Sequence, residues 1–461
     1  MSELATPPAI PRAPVQLHEP PTLATLVATS CGTAIAAVCA IGLFQIERLV
    51  GGVWSIAAVA TAGACCLLLA SALNRLMEIV PSGVGVLAYL SRSFGRPAGF
   101  ALTIPYFLLT LFLTGAEATI VGVLSARLLT IPVWLGAGVF LIGTWMLCMA
   151  GVRLSYRLQT LTTWTLVGTL ACLSLSAMID TAAHGQLVTR LFPPRPTVAH
   201  FLAAVGQALF LFMGFELITA QVETATTPRI VARALSTSVC VLTGFYALVS
   251  LGFSCLPTAR LHAETTFVVP QLALAEQTGG ALVLLLVVVL STLASFTSFN
   301  GALLSLSRFL YALATQGVLP RMFAQIDRQT LVPRLALTAL LLLAVAATTT
   351  VLVTATLQPL IFAAAVAAAV AYAAAVWARE YSPFVEPHRL RSRRLLSGGV
   401  ALAFLAFALG VLVDAGAALP ATLLLLVLVY GVALGGAAQH ARHRPRGPAH
   451  MLSPHGGPHA D

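Results

Sequence analysis

Long apolar segments follow one another along the chain, and short polar loops that hold most of the arginines separate them. A membrane-spanning helix needs about 20 mostly apolar residues. The pattern predicts twelve spans, at residues 27–47, 53–74, 98–127, 131–150, 158–180, 200–222, 234–256, 280–314, 334–355, 358–378, 397–415 and 419–438. The Pro-rich tail 1–26 and the His/Pro-rich tail 439–461 are predicted to be disordered. The sequence therefore predicts an all-α polytopic membrane protein.

Composition supports this assignment. Hydrophobic residues make up 59% of the chain and charged residues 9%, against about 45–50% and about 25% in soluble domains. A formal net charge of +10 is compatible with nucleic-acid binding, but the basic residues are dispersed through the connecting loops. We expect the lipid bilayer, and no nucleic acid, as the partner of this surface.

The arginines also predict an orientation. Cytoplasmic loops of membrane proteins carry an excess of basic residues. With both tails inside, nineteen arginines fall on the inner side and five on the outer side, while Arg308 lies near an inner helix end. An even number of spans with both termini in the cytoplasm is the consistent solution.

The sequence lacks residues that several classes of enzyme and metal site require. The chain has no lysine, which excludes a P-loop lysine and a Schiff-base lysine. Its cysteines form no CxxC pair, and its histidines lie in tails, loops or segment edges. We expect neither an enzyme nor a resident metal or cofactor.

Two acidic residues, Glu117 and Glu216, lie well inside predicted spans, away from their ends. Placing a charge at membrane depth costs about 2.5–3.5 kcal/mol on insertion scales, so such groups usually face a cavity or a transport pathway. We expect one of the two to pair with a substrate amine or to carry a coupling proton, and we favour Glu216. The alternative for Glu216 is a position at a helix end, with its side chain reaching water, although Glu223 and Arg229 mark a better end for that helix.

Glycines indicate interruptions in two spans. The first span contains Gly42 within residues 39–45, and the sixth contains Gly214 within residues 213–216. Interrupted helices at matching positions of two halves point to a transporter site at the membrane midplane. Close helix packing is the alternative explanation for each glycine.

Three motifs resemble the amino acid–polyamine–organocation transporter superfamily, and more narrowly its bacterial amino acid permeases. FMGFE at 212–216 with TPR at 227–229 looks like the sixth helix of that family and the loop after it. NG at 300–301 with SRFLYA at 307–312 looks like the end of its eighth helix, and PSGVG at 81–85 like the loop after its second helix. The resemblance covers roughly residues 25 to 440.

The resemblance implies two inverted five-helix repeats, residues 27–180 and 200–378, followed by two peripheral helices at 397–438. It places a substrate between the broken first and sixth helices, where exposed amides near Gly42 would meet a carboxylate. Phe215 or Phe212 would form an aromatic gate. The residues that we expect to bind substrate on this basis are Ala40, Ile41, Gly42, Leu43, Phe212, Gly214, Phe215 and Asn300.

The function implied is a secondary transporter of amino acids or related amines in the bacterial cytoplasmic membrane. The first-helix motif of the family is usually Gly-small-Gly-Ile-Phe, and Ile41 replaces a small residue here. Neutral amino acids, cationic amino acids and amines all remain open as substrates. Coupling could use a proton on Glu216 or Glu117, a sodium ion, or exchange. A receptor or scaffold that binds ligand without transport is the alternative from a different functional class.

Overall fold

The chain forms a bundle of apolar helices. A computed structural model describes residues 20–79, 84–222, 225–255, 281–315, 317–327, 329–381 and 391–442. Eleven of its helices are long and apolar enough to cross a membrane. A twelfth span consists of two helices, Leu23–Ala34 and Cys39–Leu49, which meet at an angle of 66°. The prediction of twelve spans is therefore confirmed, and no strand occurs in the described part of the chain.

The remaining spans agree with the sequence prediction to within a few residues. They are Gly52–Glu78, Arg96–Leu129, Val133–Ala150, Val152–Ala183, Val198–Gln221, Pro228–Ser254, Ala281–Thr315, Arg334–Thr354, Gln358–Ala378, Arg394–Val413 and Gly416–Ala438. Short helices at Val86–Phe94, Leu187–Leu191 and Arg321–Ala324 connect some of them. The seventh helix begins earlier than predicted, because Pro228 is suited to a first helical turn.

The two tails and two of the family-like segments are only partly covered. Helices begin at Leu23 and end at Arg442, so each continues a few residues into a tail predicted to be disordered. The rest of the tails, 1–19 and 443–461, lies outside the described residues, as do 81–83 of the PSGVG motif and 223–224 after the sixth span.

The first span is broken, but not at the predicted place. Its first helix ends at Ala34 and its second begins at Cys39, so the break covers residues 35–38. Backbone groups freed in this way need partners inside a membrane. The Tyr246 hydroxyl donates to the Ala34 carbonyl at 3.0 Å, and the Ala37 amide donates to Glu117 at 3.2 Å. Side chains from distant spans therefore stabilise a break that contains no glycine.

The sixth span is broken where the sequence predicts it. Its α-helix ends at Leu211, and a 3₁₀ helix, Phe215–Gln221, continues after a turn. Gly214 in that turn has φ of +98°, a left-handed conformation that glycine adopts without strain. A Cβ atom at Gly214 would lie 3.2 Å from the Thr33 side chain, so the two broken spans approach each other closely here.

The broken spans pack against each other reciprocally. The first helix of the first span contacts the 3₁₀ part of the sixth, and the second helix of the first span contacts the α-helical part of the sixth. The Ser30 hydroxyl also donates to the Phe215 carbonyl at 2.8 Å. This crossed pairing is the arrangement expected of inverted repeats, whose boundaries at 27–180 and 200–378 stay predictions.

The tenth span presents mostly small side chains to its neighbours. Most of its residues between Ala363 and Ala378 are alanines, and nearly all of them are buried. Small side chains allow helix backbones to approach closely in membranes. The span accordingly packs against the second, third, eleventh and twelfth spans. Tyr372 is the one residue with a hydroxyl group in Gln358–Ala378, and it points into the bundle.

Candidate functional site

Glu117 lies beside the break in the first span. It occupies an irregular position of the third span, between the helical stretches Arg96–Ala116 and Ala118–Leu129, and is fully buried. Its Oε2 atom accepts the hydrogen bond from the Ala37 amide, whereas Oε1 accepts no hydrogen bond of normal geometry from the described residues, although the Ser295 hydroxyl of the eighth span lies near enough to interact with the carboxylate. One face of this carboxylate is thus fixed to unwound backbone and the other is available to a donor.

Glu216 lies just after the break in the sixth span, at the second residue of the 3₁₀ helix. The Tyr106 hydroxyl of the third span donates to Oε1, and the Tyr372 hydroxyl of the tenth span donates to Oε2 at 2.5 Å. The side chain is buried, and the described residues include no basic group paired with it. Both carboxylate oxygens are therefore held by neutral hydroxyl donors, and three spans meet at this one side chain.

Both acids are identifiable in the sequence, whereas their tyrosine partners were not predicted from it. Tyr106, Tyr372 and Tyr246 all lie within spans and are buried with their hydroxyl groups bonded. A signal was present for Tyr372, because a single hydroxyl in an alanine-rich span needs a buried partner. Tyr106 and Tyr246 carry no comparable local signal, since aromatic residues are common in membrane helices.

Ala40, Ile41, Gly42 and Leu43 do not lie at the break. They belong to the helix Cys39–Leu49, and the amides of Ala40 and Ile41 donate to carbonyls three residues earlier, at 3.3 and 3.0 Å. The expectation of exposed amides near Gly42 is therefore wrong. A Cβ atom at Gly42 would lie 2.9 Å from the Leu211 side chain, so this glycine serves close packing against the sixth span.

The two candidate aromatic residues of the sixth span are both buried at the break. The Phe212 ring packs edge-on against Tyr246 with centroids 5.8 Å apart. The Phe215 ring lies 6.4 Å from that of Tyr372. Phe212 is thus tied to the partner of the first-span break, and Phe215 to a partner of Glu216. Their role as gates stays a prediction.

Asn300 lies in a different polar cluster. Its Oδ1 atom accepts from the Ser155 hydroxyl at 2.7 Å, and its Nδ2 donates to Gln159 at 2.6 Å. Gln159 in turn donates to the Thr297 carbonyl at 2.9 Å. The arrangement connects the fifth and eighth spans and satisfies the amide group of Asn300. The structure does not bring it to either acid by any recorded hydrogen bond, and its substrate role stays a prediction.

A family model and one curated relative match the chain. The model, described as amino acid permease, matches residues 22–434. The relative is the uncharacterized amino acid permease YecA of Bacillus subtilis (strain 168), 25% identical over 283 residues. That matched region covers 59% of this chain and 63% of the relative, so less than two thirds of the relative's length is spanned.

Solved structures show similarity of fold. The manganese transporter of Eremococcus coleocola, in complex with an aromatic bis-isothiourea substituted compound, superposes with a TM-score of 0.56 at 13% identity. The match covers 91% of this chain and 93% of that one. A mutant of the same transporter gives a TM-score of 0.55 at 12% identity. At such low identity the likeness concerns the fold alone.

Proposed function

Because the chain belongs to the amino acid permease family, we propose that it is a secondary transporter that moves amino acids or related amines across the cytoplasmic membrane by alternating access. The observation that supports this most is the meeting of two broken spans with a buried carboxylate beside each break. Broken helices at the midplane supply backbone groups to a ligand, and buried acids supply charge.

In this proposal Glu117 takes the amine of the substrate. Its Oε1 atom is buried and accepts no hydrogen bond of normal geometry from the described residues, and a buried acceptor in that state gains free energy from any donor that reaches it. An ammonium group has three donors and a positive charge, which suits a carboxylate that has one oxygen engaged and one available. The unwound residues 35–38 lie next to it and would orient the rest of the substrate.

Glu216 has a different role in the proposal: it keeps one side of the pathway closed and carries the coupling proton. As a carboxylate it accepts from two tyrosines of two other spans. Protonation would remove its charge and one of its acceptor positions, so the hydrogen bonds to Tyr106 and Tyr372 would weaken together. Release of the third and tenth spans from the sixth would then accompany proton uptake.

Transport by purified protein in proteoliposomes tests both assignments. Vesicles loaded with one unlabelled amino acid or amine are assayed for counterflow of the labelled compound, with and without pH and sodium gradients. We expect accumulation that responds to pH, and Glu216→Gln to remove that response because glutamine cannot titrate. Normal pH dependence of uptake in Glu216→Gln would remove Glu216 from the coupling mechanism.

The same assay separates the transporter from a receptor or scaffold. A protein that only binds would shift its melting temperature with the ligand and yet give no counterflow. Sodium-dependent uptake that ignores pH would replace proton coupling with sodium coupling. Counterflow without any effect of either gradient would identify an exchanger, in which Glu216 would have only a structural role.

A further inference from the structure

The first and fifth spans leave a cleft between them near the predicted cytoplasmic end of the bundle. Its volume is about 650 Å³, in the range of small-molecule sites. Thr25 of the first span contributes one wall, and the other consists of residues from the fifth span, Tyr156, Arg157, Thr160, Leu161, Trp164 and Thr165. The cleft is separate from both acids described above, and nothing in the proposed transport mechanism uses it.

The cleft opens toward the lipid rather than into the bundle. Arg157, Leu161 and Trp164 lie on one face of the fifth span and are all exposed, Leu161 by 64% and Trp164 by 38%. Tyr156, which points inward, is buried and donates a hydrogen bond to Gln221 at the end of the sixth span. The groove therefore has an inner wall tied to the transport core and an outer side that faces the bilayer.

The length of the fifth span places Arg157 at the depth of the lipid headgroups. The fifth span has 32 residues, whereas about 20 suffice to cross the hydrocarbon core, so several residues at its start extend past it. Arg157 is near that start, and a long side chain there reaches the interface. Trp164 lies about 10 Å further along the helix axis, at 1.5 Å per residue, where acyl chains begin. A charged end and an apolar end are thus aligned along the membrane normal.

The positive charge of Arg157 favours an anionic ligand in the cleft. Arg157 forms no hydrogen bond or ion pair with any described residue, and none of the described residues that line the cleft is acidic. A guanidinium group binds phosphate oxygens with two parallel hydrogen bonds. Basic pockets between helices on the cytoplasmic side are typical sites for anionic headgroups. Leu161 and Trp164 extend the same groove with apolar surface that a soluble anion would leave uncovered.

We propose that this cleft binds one anionic phospholipid of the inner leaflet, with its phosphate on Arg157 and an acyl chain along Leu161 and Trp164. The shared chemistry is that of a phosphate diester, and the acyl chain distinguishes the lipid from a free phosphate. The occupant would contact both the first half of the broken first span and the fifth span, because Thr25 and Arg157 line opposite walls.

Native mass spectrometry of the purified full-length protein tests the site. Phosphatidylglycerol and phosphatidylcholine with identical chains are titrated against wild type, Arg157→Gln and a matched control, Arg233→Gln. Arg233 is an exposed arginine at the start of the seventh span and lines no part of the cleft. We expect phosphatidylglycerol to bind about tenfold more tightly than phosphatidylcholine, Arg157→Gln to remove this difference, and Arg233→Gln to keep it.

A second variant keeps the charge and fills the space. Leu161→Trp adds bulk in the cleft while leaving Arg157 in place, and we expect it to reduce phosphatidylglycerol binding by a similar factor. Phosphatidylglycerol with brominated chains should quench part of the tryptophan fluorescence of the wild type. This quenched part should be absent in Trp164→Phe and present in Trp134→Phe, a control on the exposed face of the fourth span. All of these variants change exposed positions, so we expect folding to be preserved.

Three outcomes would overturn the proposal. Equal binding of the two lipids would show that the cleft does not select charge. Unchanged selectivity in Arg157→Gln would place any anion site elsewhere. Competition by inorganic phosphate or glycerol 3-phosphate as effective as that of the lipid would identify a soluble-anion site in place of a lipid site.

Discussion

The two buried acids differ in how their oxygens are engaged. Glu117 accepts one backbone hydrogen bond, and its other oxygen accepts none of normal geometry from the described residues, while Glu216 has both oxygens held by tyrosine hydroxyls. An unpaired buried acceptor costs about 1–3 kcal/mol, more if charged. The free-energy cost of an unpaired buried acceptor is therefore present at Glu117 and absent at Glu216. Of the two acids, Glu117 therefore has an oxygen available to a ligand, whereas both oxygens of Glu216 are engaged by tyrosine hydroxyls.

The strongest test of this difference is Glu117→Gln. Loss of a charged partner for a buried ammonium costs about 3–5 kcal/mol, so we expect uptake of an amine-bearing substrate to fall at least about 100-fold. Folding should be retained, because the glutamine carbonyl can still accept from the Ala37 amide. Initial rates of uptake in proteoliposomes measure the effect. Glu78→Gln, at an exposed position of the second span, is the matched control and should behave like wild type.

Tyr372→Phe should affect stability by the next largest amount. It removes a hydroxyl that donates to Glu216, and hydrogen bonds to charged groups contribute about 1.5–3 kcal/mol. Thermal unfolding in detergent should show a loss in Tyr372→Phe that is much smaller when Glu216→Gln is already present. Equal losses in the two backgrounds would mean that the tyrosine acts through packing and that Glu216 is less firmly held than we argue.

Gly214→Ala should destabilise the Glu216 region by a smaller amount. A left-handed conformation costs a residue with Cβ about 1–2 kcal/mol, and the new methyl group would press on Thr33 at 3.2 Å. Gly410→Ala is the control, because that glycine is helical and a methyl group added there would meet nothing within 4 Å. The comparison of melting temperatures isolates the backbone requirement. No difference between the two variants would contradict the role given to the turn.

The smallest predicted effect concerns Asp327, a surface carboxylate. It accepts from the amides of Gln329 and Thr330 at 2.9 and 3.0 Å and pairs with Arg334 at 2.9 Å. These hydrogen bonds hold the pKa of Asp327 below its ordinary value. The stabilisation is therefore present at neutral pH and is lost as pH falls through that lowered pKa. Asp327→Asn should change the melting temperature only slightly at pH 7, and the small difference from wild type should vanish in acid.

The sequence predicted the spans and the sixth-span break because both depend on local features. Apolar length identifies a membrane helix, and Gly214 takes a conformation that few other residues accept. The first-span break was misplaced for the same reason. Its residues 35–38 include no glycine, and their backbone groups rely on Tyr246 and Glu117, which are distant in sequence. Partners of that kind appear only once the helices are packed.

The alanine-rich tenth span has a mechanical consequence. Interlocked helices must disengage their large side chains before they slide, because ridges of one fill the grooves of the other. A span lined by methyl groups has shallow ridges and can travel along its axis with little rearrangement of its neighbours. Among the described residues, the Tyr372 hydroxyl joins this span to the sixth by its hydrogen bond to Glu216. Any axial displacement of the tenth span relative to the sixth must therefore break a bond that ends on a titratable side chain.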